Sequence, residues 1–126
     1  MQKLVIKNTL KSPSIDFNPE TGIFEMSGVS LIENTLDFYR PILKWLEEYL
    51  KTPCQSTTFV FKLKYSNTSS LQFIYDIINL IYLEHNKKTV LSIIWYYISD
   101  DIDMKEVGED YQDSFDINFT FNQIEV

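Results

Sequence analysis

The sequence predicts an α/β domain: a mixed sheet of about six strands packed by two longer helices and one short one, in the order β-β-β-α-β-α-β-α-β. Three observations carry this. Residues 57–65 and 115–122 alternate apolar and polar side chains, the period of a half-buried strand. Residues 30–51 and 68–86 repeat apolar side chains at three- and four-residue steps, the period of a helix lying on a core. From residue 30 onward the two periods take turns, which favours right-handed crossovers and partly parallel pairing.

Each element follows from local chemistry. Residues 3–7 are a short apolar run guarded by Lys3 and Lys7, an edge strand. Residues 14–17 and 23–27 flank Asn18-Pro19-Glu20-Thr21-Gly22, where Pro presets φ and Gly supplies a positive φ, so they predict an antiparallel hairpin. Ser30-Leu31-Ile32-Glu33 matches a capping box, and the helix it opens carries Leu36, Tyr39, Leu43, Leu46 and Leu50 on one stripe. Pro41 inside it demands either a kink or a break near residues 37–40, and Thr52-Pro53 ends it.

The strand at 57–65 places Phe59, Phe61, Leu63 and Tyr65 on one face. The helix at 68–86 follows, with Leu71, Ile74, Ile78, Ile81 and His85 on its stripe. Residues 89–98 are apolar on both faces, as in a strand covered on both sides. Asp100, Asp101 and Asp103 collect at the start of a short helix bearing Met104, Val107 and Tyr111, and Gly108 weakens that helix. Phe115, Ile117, Phe119 and Phe121 alternate in a last strand.

Composition excludes several function classes. At 126 residues one domain, 1–126, is expected. A net charge of −7 argues against nucleic acid and against anionic membranes, since both are bound through Lys and Arg. Cys54 stands alone, so no intrachain disulfide forms, and Met1 to Lys7 lacks the apolar core of a signal peptide. A cytoplasmic protein is expected. Catalytic chemistry is sparse: His85 is the one histidine, no metal-ligand spacing surrounds it, and no glycine-rich phosphate loop occurs. Neither a cofactor nor a bound metal is therefore expected, and the Asp100–Asp103 cluster reads as a solvated helix start.

The polar stretch between strand and helix, Tyr65-Ser66-Asn67-Thr68-Ser69-Ser70, is the candidate site. Asn67, Thr68 or Ser69 can cap the helix, and a hydroxyl there stands where free N–H groups and the helix dipole welcome a phosphate.

Three blocks in order resemble the SiaC family of bacterial regulatory phosphoproteins. The first runs from Gly28 to Leu50, with Ser30-Leu31-Ile32-Glu33-Asn34-Thr35-Leu36-Asp37-Phe38-Tyr39-Arg40-Pro41 at its heart. The second is the Tyr65–Ser70 turn, similar to that family's phosphosite; the third is Trp95-Tyr96-Tyr97 with Asp100-Asp101-Ile102-Asp103-Met104 and Gly108-Glu109-Asp110. The resemblance spans nearly the whole chain. It implies a STAS-like fold and a non-enzymatic partner switch. A kinase of the anti-sigma-factor type would phosphorylate Thr68, with Ser69 and Ser66 as secondary candidates, and a PP2C-like phosphatase would reverse it. The unmodified form would activate a diguanylate cyclase, in c-di-GMP signalling and biofilm control, through Tyr65, Asn67, Thr68, Ser69 and Ser70. The chain departs from the family pattern at Leu31-Ile32, in place of a more polar or Pro-containing pair, and at Leu71-Gln72, in place of a small residue and Lys. The rival reading is a ligand-binding or enzymatic domain whose pocket is lined by Trp45, Trp95, Tyr96 and Tyr97, against which core packing is the plainer role for those rings.

Overall fold

The computed structural model describes residues 1–125. Its elements are β1 (Leu4–Ile6), β2 (Ser14–Asn18), β3 (Ile23–Ser30), α1 (Thr35–Tyr49), β4 (Ser56–Ser66), α2 (Thr68–Tyr82), β5 (Val90–Ile98), α3 (Ile102–Ser114) and β6 (Asn118–Ile124). They form one sheet with strand order equal to chain order, antiparallel from β1 to β3 and parallel from β3 to β6. Each parallel step moves the same way across the sheet, so crossovers of one hand lay all three helices on one face. Burial agrees. Phe17, Phe24, Phe59, Phe61, Ile93 and Trp95 are buried on that face, against Tyr39, Ile42 and Leu46 of α1 and Ile74, Ile77, Ile78 and Ile81 of α2.

The hairpin forms as the sequence predicts, with Gly22 at φ 73° closing the turn onto the Asn18 carbonyl at 3.0 Å. Several expectations are corrected. Ser30 does not cap α1: it ends β3 with its side chain buried, and Asn34 caps the helix, its side-chain Oδ1 accepting from the Asp37 N–H at 3.4 Å. A longer β3 wins because β4 goes on pairing with it beyond the reach of β2, with Val29 opposite Tyr65 and Ser30 opposite Ser66. The buried stripe of α1 is Tyr39, Ile42, Leu46 and Tyr49, while Leu36 is exposed. The helix passes Pro41 without a break; Pro41 and Asp37 both face water, which solvates the carbonyl that the proline leaves unpaired.

β5 is covered on one face only. Leu91, Ile93, Trp95 and Tyr97 point to the helices, whereas Val90, Ser92, Ile94, Tyr96 and Ile98 lie on the open face of the sheet. α2 ends at Tyr82, so His85 lies beyond it in a turn with Asn86 at φ 63°. Phe115 is buried just after α3, and β6 begins only at Asn118. The third helix has 13 residues against 15 for each of the other two, so it is hardly shorter.

Gly108 is a close-approach position more than a weak point of α3. A Cβ there would lie 2.7 Å from Trp95 Cδ1 and 2.8 Å from Phe121 Cε1. Trp95 cannot yield, being fully buried and held by its Nε1–H donating to the Met104 carbonyl at 3.1 Å. Gly108→Ala gains about 1 kcal/mol of helix propensity but overpacks this contact at about 1–3 kcal/mol. A net loss of about 1 kcal/mol is expected in urea denaturation, and a stabilised variant would contradict this account.

Candidate functional site

The β4–α2 turn is fastened to the rest of the fold by Asn67. Its Oδ1 accepts from the Ser70 N–H at 2.9 Å, capping α2, while its Nδ2 donates to the Ile32 carbonyl at 3.1 Å. Its own backbone N–H donates to the Ser30 carbonyl at 2.9 Å. One side chain therefore satisfies a helix end and ties the β4–α2 turn to the β3–α1 loop. Of the three residues that could cap α2, Asn67 does so.

Beneath the turn lies a buried chain of hydroxyls. Ser30 Oγ donates to Ser70 Oγ at 2.6 Å, so the contact of 2.9 Å between Ser30 Oγ and Tyr39 is donated by the phenol. Ser30, Tyr39 and Ser70 are all fully buried. Burial pushes the Tyr39 phenol up to about 12, with hydrogen bonds to Ser30 and Ser70 partly offsetting the rise. These three groups join β3, α1 and α2 in one layer.

The hydroxyls of the turn thus divide. Thr68 and Ser69 are exposed, Ser66 is half-buried with its hydroxyl 3.4 Å from the Asn67 carbonyl, and Ser70 is buried. Ser70, expected among the partner-contacting residues, is fully buried: the third helical position turns toward Ser30, whose hydroxyl it accepts inside the fold. Tyr65 is 55% exposed because a β-bulge after Leu63 breaks the alternation and sets it opposite Val29, on the face of the sheet away from the helices. Thr68 opens α2, where the amides of Thr68 and Ser69 precede the one that Asn67 caps.

Beside Thr68 runs a cleft of about 260 Å³ that the sequence did not disclose, lined by Thr68, Leu71, Gln72 and Tyr75 of α2 and by Val107, Asp110 and Tyr111 of α3. Tyr111 closes its floor, its OH donating to the Leu71 carbonyl at 2.6 Å, and burial drives that phenol far above its ordinary range. The lining holds one carboxylate and no Lys or Arg. The stripe of Met104, Val107 and Tyr111 marks a packed face of α3, yet nothing in the spacing says that this face meets α2.

A family model described as SiaC family regulatory phosphoprotein matches residues 6–124. The chain belongs to the SiaC family. A protein of Pseudomonas aeruginosa strain UCBPP-PA14 is 27% identical over 121 residues, covering 96% of this chain and 94% of that one. The solved structure of SiaC of Pseudomonas aeruginosa superposes with a TM-score of 0.89 at 25% identity, over 98% of this chain and 100% of that chain. A second solved structure holds the diguanylate cyclase SiaD in complex with its activator SiaC; it matches with a TM-score of 0.88 at 24% identity, over 96% of this chain and 99% of that chain, a likeness of fold. The expected element order and mixed sheet are those of the SiaC structures.

Leu31, Ile32, Leu71 and Gln72 gather around the turn. Leu31 is exposed, the Ile32 carbonyl receives Asn67, and Leu71 and Gln72 line the cleft. The aromatic residues of the rival reading do not share a pocket. Trp95 is core, and Trp45 stacks on Tyr49 at 5.8 Å while donating to the Gln2 carbonyl. Tyr96 is on the open face under the Lys62 ammonium, and Tyr97 packs edge-on to Phe121. His85 Nδ1 accepts from the Leu91 N–H at 2.9 Å, Cys54 Sγ donates to the Pro19 carbonyl, and Asp101 caps α3 by accepting from the Met104 N–H at 3.0 Å. No helix among the described residues is long and apolar enough to cross a membrane.

Asn67→Ala removes the cap and the tie to Ile32 together. A loss of about 1–3 kcal/mol is expected in chemical denaturation, with faster amide exchange in residues 67–71. A cost below about 0.5 kcal/mol would show that another group caps α2.

Proposed function

We propose that this SiaC family chain is a non-enzymatic signalling regulator, a single cytoplasmic domain whose partner is chosen by reversible phosphorylation of Thr68. The unmodified form docks on an output protein, a diguanylate cyclase that it activates, as SiaC is the activator of SiaD. A kinase of the anti-sigma-factor type and a PP2C-like phosphatase set the state of Thr68. The observation that carries the reading is an exposed threonine at the first position of α2, on a turn whose fastening does not depend on it. A switch needs both properties. The residue must reach a kinase, and its modification must leave the scaffold standing. Exposed Tyr65, Leu31 and Leu36 belong to β4 and to the β3–α1 segment that Asn67 ties together, which supplies apolar contact area for a partner.

Incubation with the cognate kinase and ATP, followed by site mapping with mass spectrometry, tests the assignment. Modification on Thr68, abolished in Thr68→Val, is expected; modification chiefly on Ser66 or Ser69 would move the switch to that residue.

A further inference from the structure

We infer that the free edge of β6 pairs antiparallel with β6 of a second copy of this chain, giving a two-fold dimer with one continuous sheet. The two edges of the sheet are treated differently. β1 is three residues long, flanked by Lys3 and Lys7, with Lys3 bridged to Asp16 at 3.4 Å. A short, charged edge of that kind repels further strands. β6 has neither device: its seven residues, Asn118-Phe119-Thr120-Phe121-Asn122-Gln123-Ile124, contain no charge, no Pro and no Gly.

The hydrogen-bonding register makes this edge self-complementary. The Ile124 carbonyl accepts from the Ser99 N–H at 2.8 Å, so Ile124 directs its backbone groups to β5. Backbone direction alternates along a strand, so Asn118, Thr120 and Asn122 do the same. Phe119, Phe121 and Gln123 therefore turn N–H and C=O outward. With Phe121 opposite Phe121 of the second copy, Phe119 falls opposite Gln123 in both directions, and every outward donor meets an acceptor. On the open face the same register sets Thr120 against Asn122 of the second copy, polar and uncharged. On the helix face it brings two half-buried Phe121 rings side by side. Opposing this, each copy carries a net charge of −7, and the pairing sets two acidic α3 helices beside each other, so association strengthens with salt.

The test is sedimentation equilibrium across protein and salt concentration, with backbone amide exchange followed by NMR. A reversible dimer is expected, tighter at higher salt, in which the Phe119, Phe121 and Gln123 amides slow as protein concentration rises. Thr120→Lys/Asn122→Lys puts like charges opposite each other at two symmetric pairs and should weaken the dimer about tenfold or more. Thr120→Glu/Asn122→Glu should do the same, and mixing the two variants should restore association. A monomer at every concentration, a dimer whose three outward amides exchange as fast as in the monomer, or variants that associate like the parent would each overturn the inference.

Discussion

Phosphorylation of Thr68 is expected to weaken binding of the output partner by about 5- to 150-fold or more while leaving the melting transition in place. The phosphate adds a charge of about −1.5 to −2 and three acceptor oxygens at pH 7. In place, it meets the α2 dipole and the amides of Thr68 and Ser69, which the Asn67 cap does not use. Those favour the modified residue. The anchors of the turn are Asn67, Ser30 and Ser70, and none loses a bond, so the fold persists.

A partner packed on this turn meets a different surface. The cleft beside Thr68 is lined mainly by apolar and neutral side chains, with Asp110 its one charged group and no Lys or Arg to match a dianion. Covering the phosphate would strip its water without giving a counter-charge, which is costly. Thr68→Ala should keep full binding, and its stability should change by less than about 0.5 kcal/mol because Asn67, not Thr68, is the cap. Thr68→Asp should imitate the modified form only in part, carrying one charge on a shorter arm. Calorimetry of both forms against the purified cyclase decides the matter. Equal affinities, or a collapsed transition in the phosphorylated protein, would refute the switch.

Much of the scaffold was legible because strand and helix periods differ and this chain keeps them separate. Phe59, Phe61 and Leu63 announce β4, and Ile74, Ile78 and Ile81 announce α2, since each set is buried on the face its spacing implies. Ser30 misled for a physical reason: Ser-x-x-Glu is as good a cap in sequence as Asn34 with Asp37 three residues on, and only pairing with Ser66 of β4 commits Ser30 to a strand. β5 misled because Ile94, Tyr96 and Ile98 are apolar although no helix covers them. The site was legible as a turn with exposed hydroxyls. Its internal wiring was not, because contacts such as Ser30 with Ser70 or Tyr111 with Leu71 join residues 40 positions apart and leave no periodic trace.

Alkaline pH should expose that wiring. The Tyr39 phenol ionises near 12 in the fold against 10.0 ordinarily, chiefly because burial penalises the charged form. Below about pH 10 the phenol is neutral in both folded and unfolded chains, and the fold keeps its full stability. As pH rises from 10 toward 12 the unfolded chain releases this proton first, so stability falls, and the loss is complete once the folded phenol also ionises. Two pH units correspond to about 3 kcal/mol. Tyr111 and Tyr49 are shifted in the same direction by burial and add to the loss. Against a typical stability of about 5–15 kcal/mol this is enough to bring unfolding within reach near pH 11 to 12. Tyr39→Phe separates the contributions. At pH 7 it should cost about 1 kcal/mol, since Ser30 loses the phenol that donates to it but still donates to Ser70. Above pH 10 the variant should lose stability less steeply than the parent, so the two urea midpoints converge and then cross. Parallel pH profiles would mean that Tyr39 is not the group that titrates.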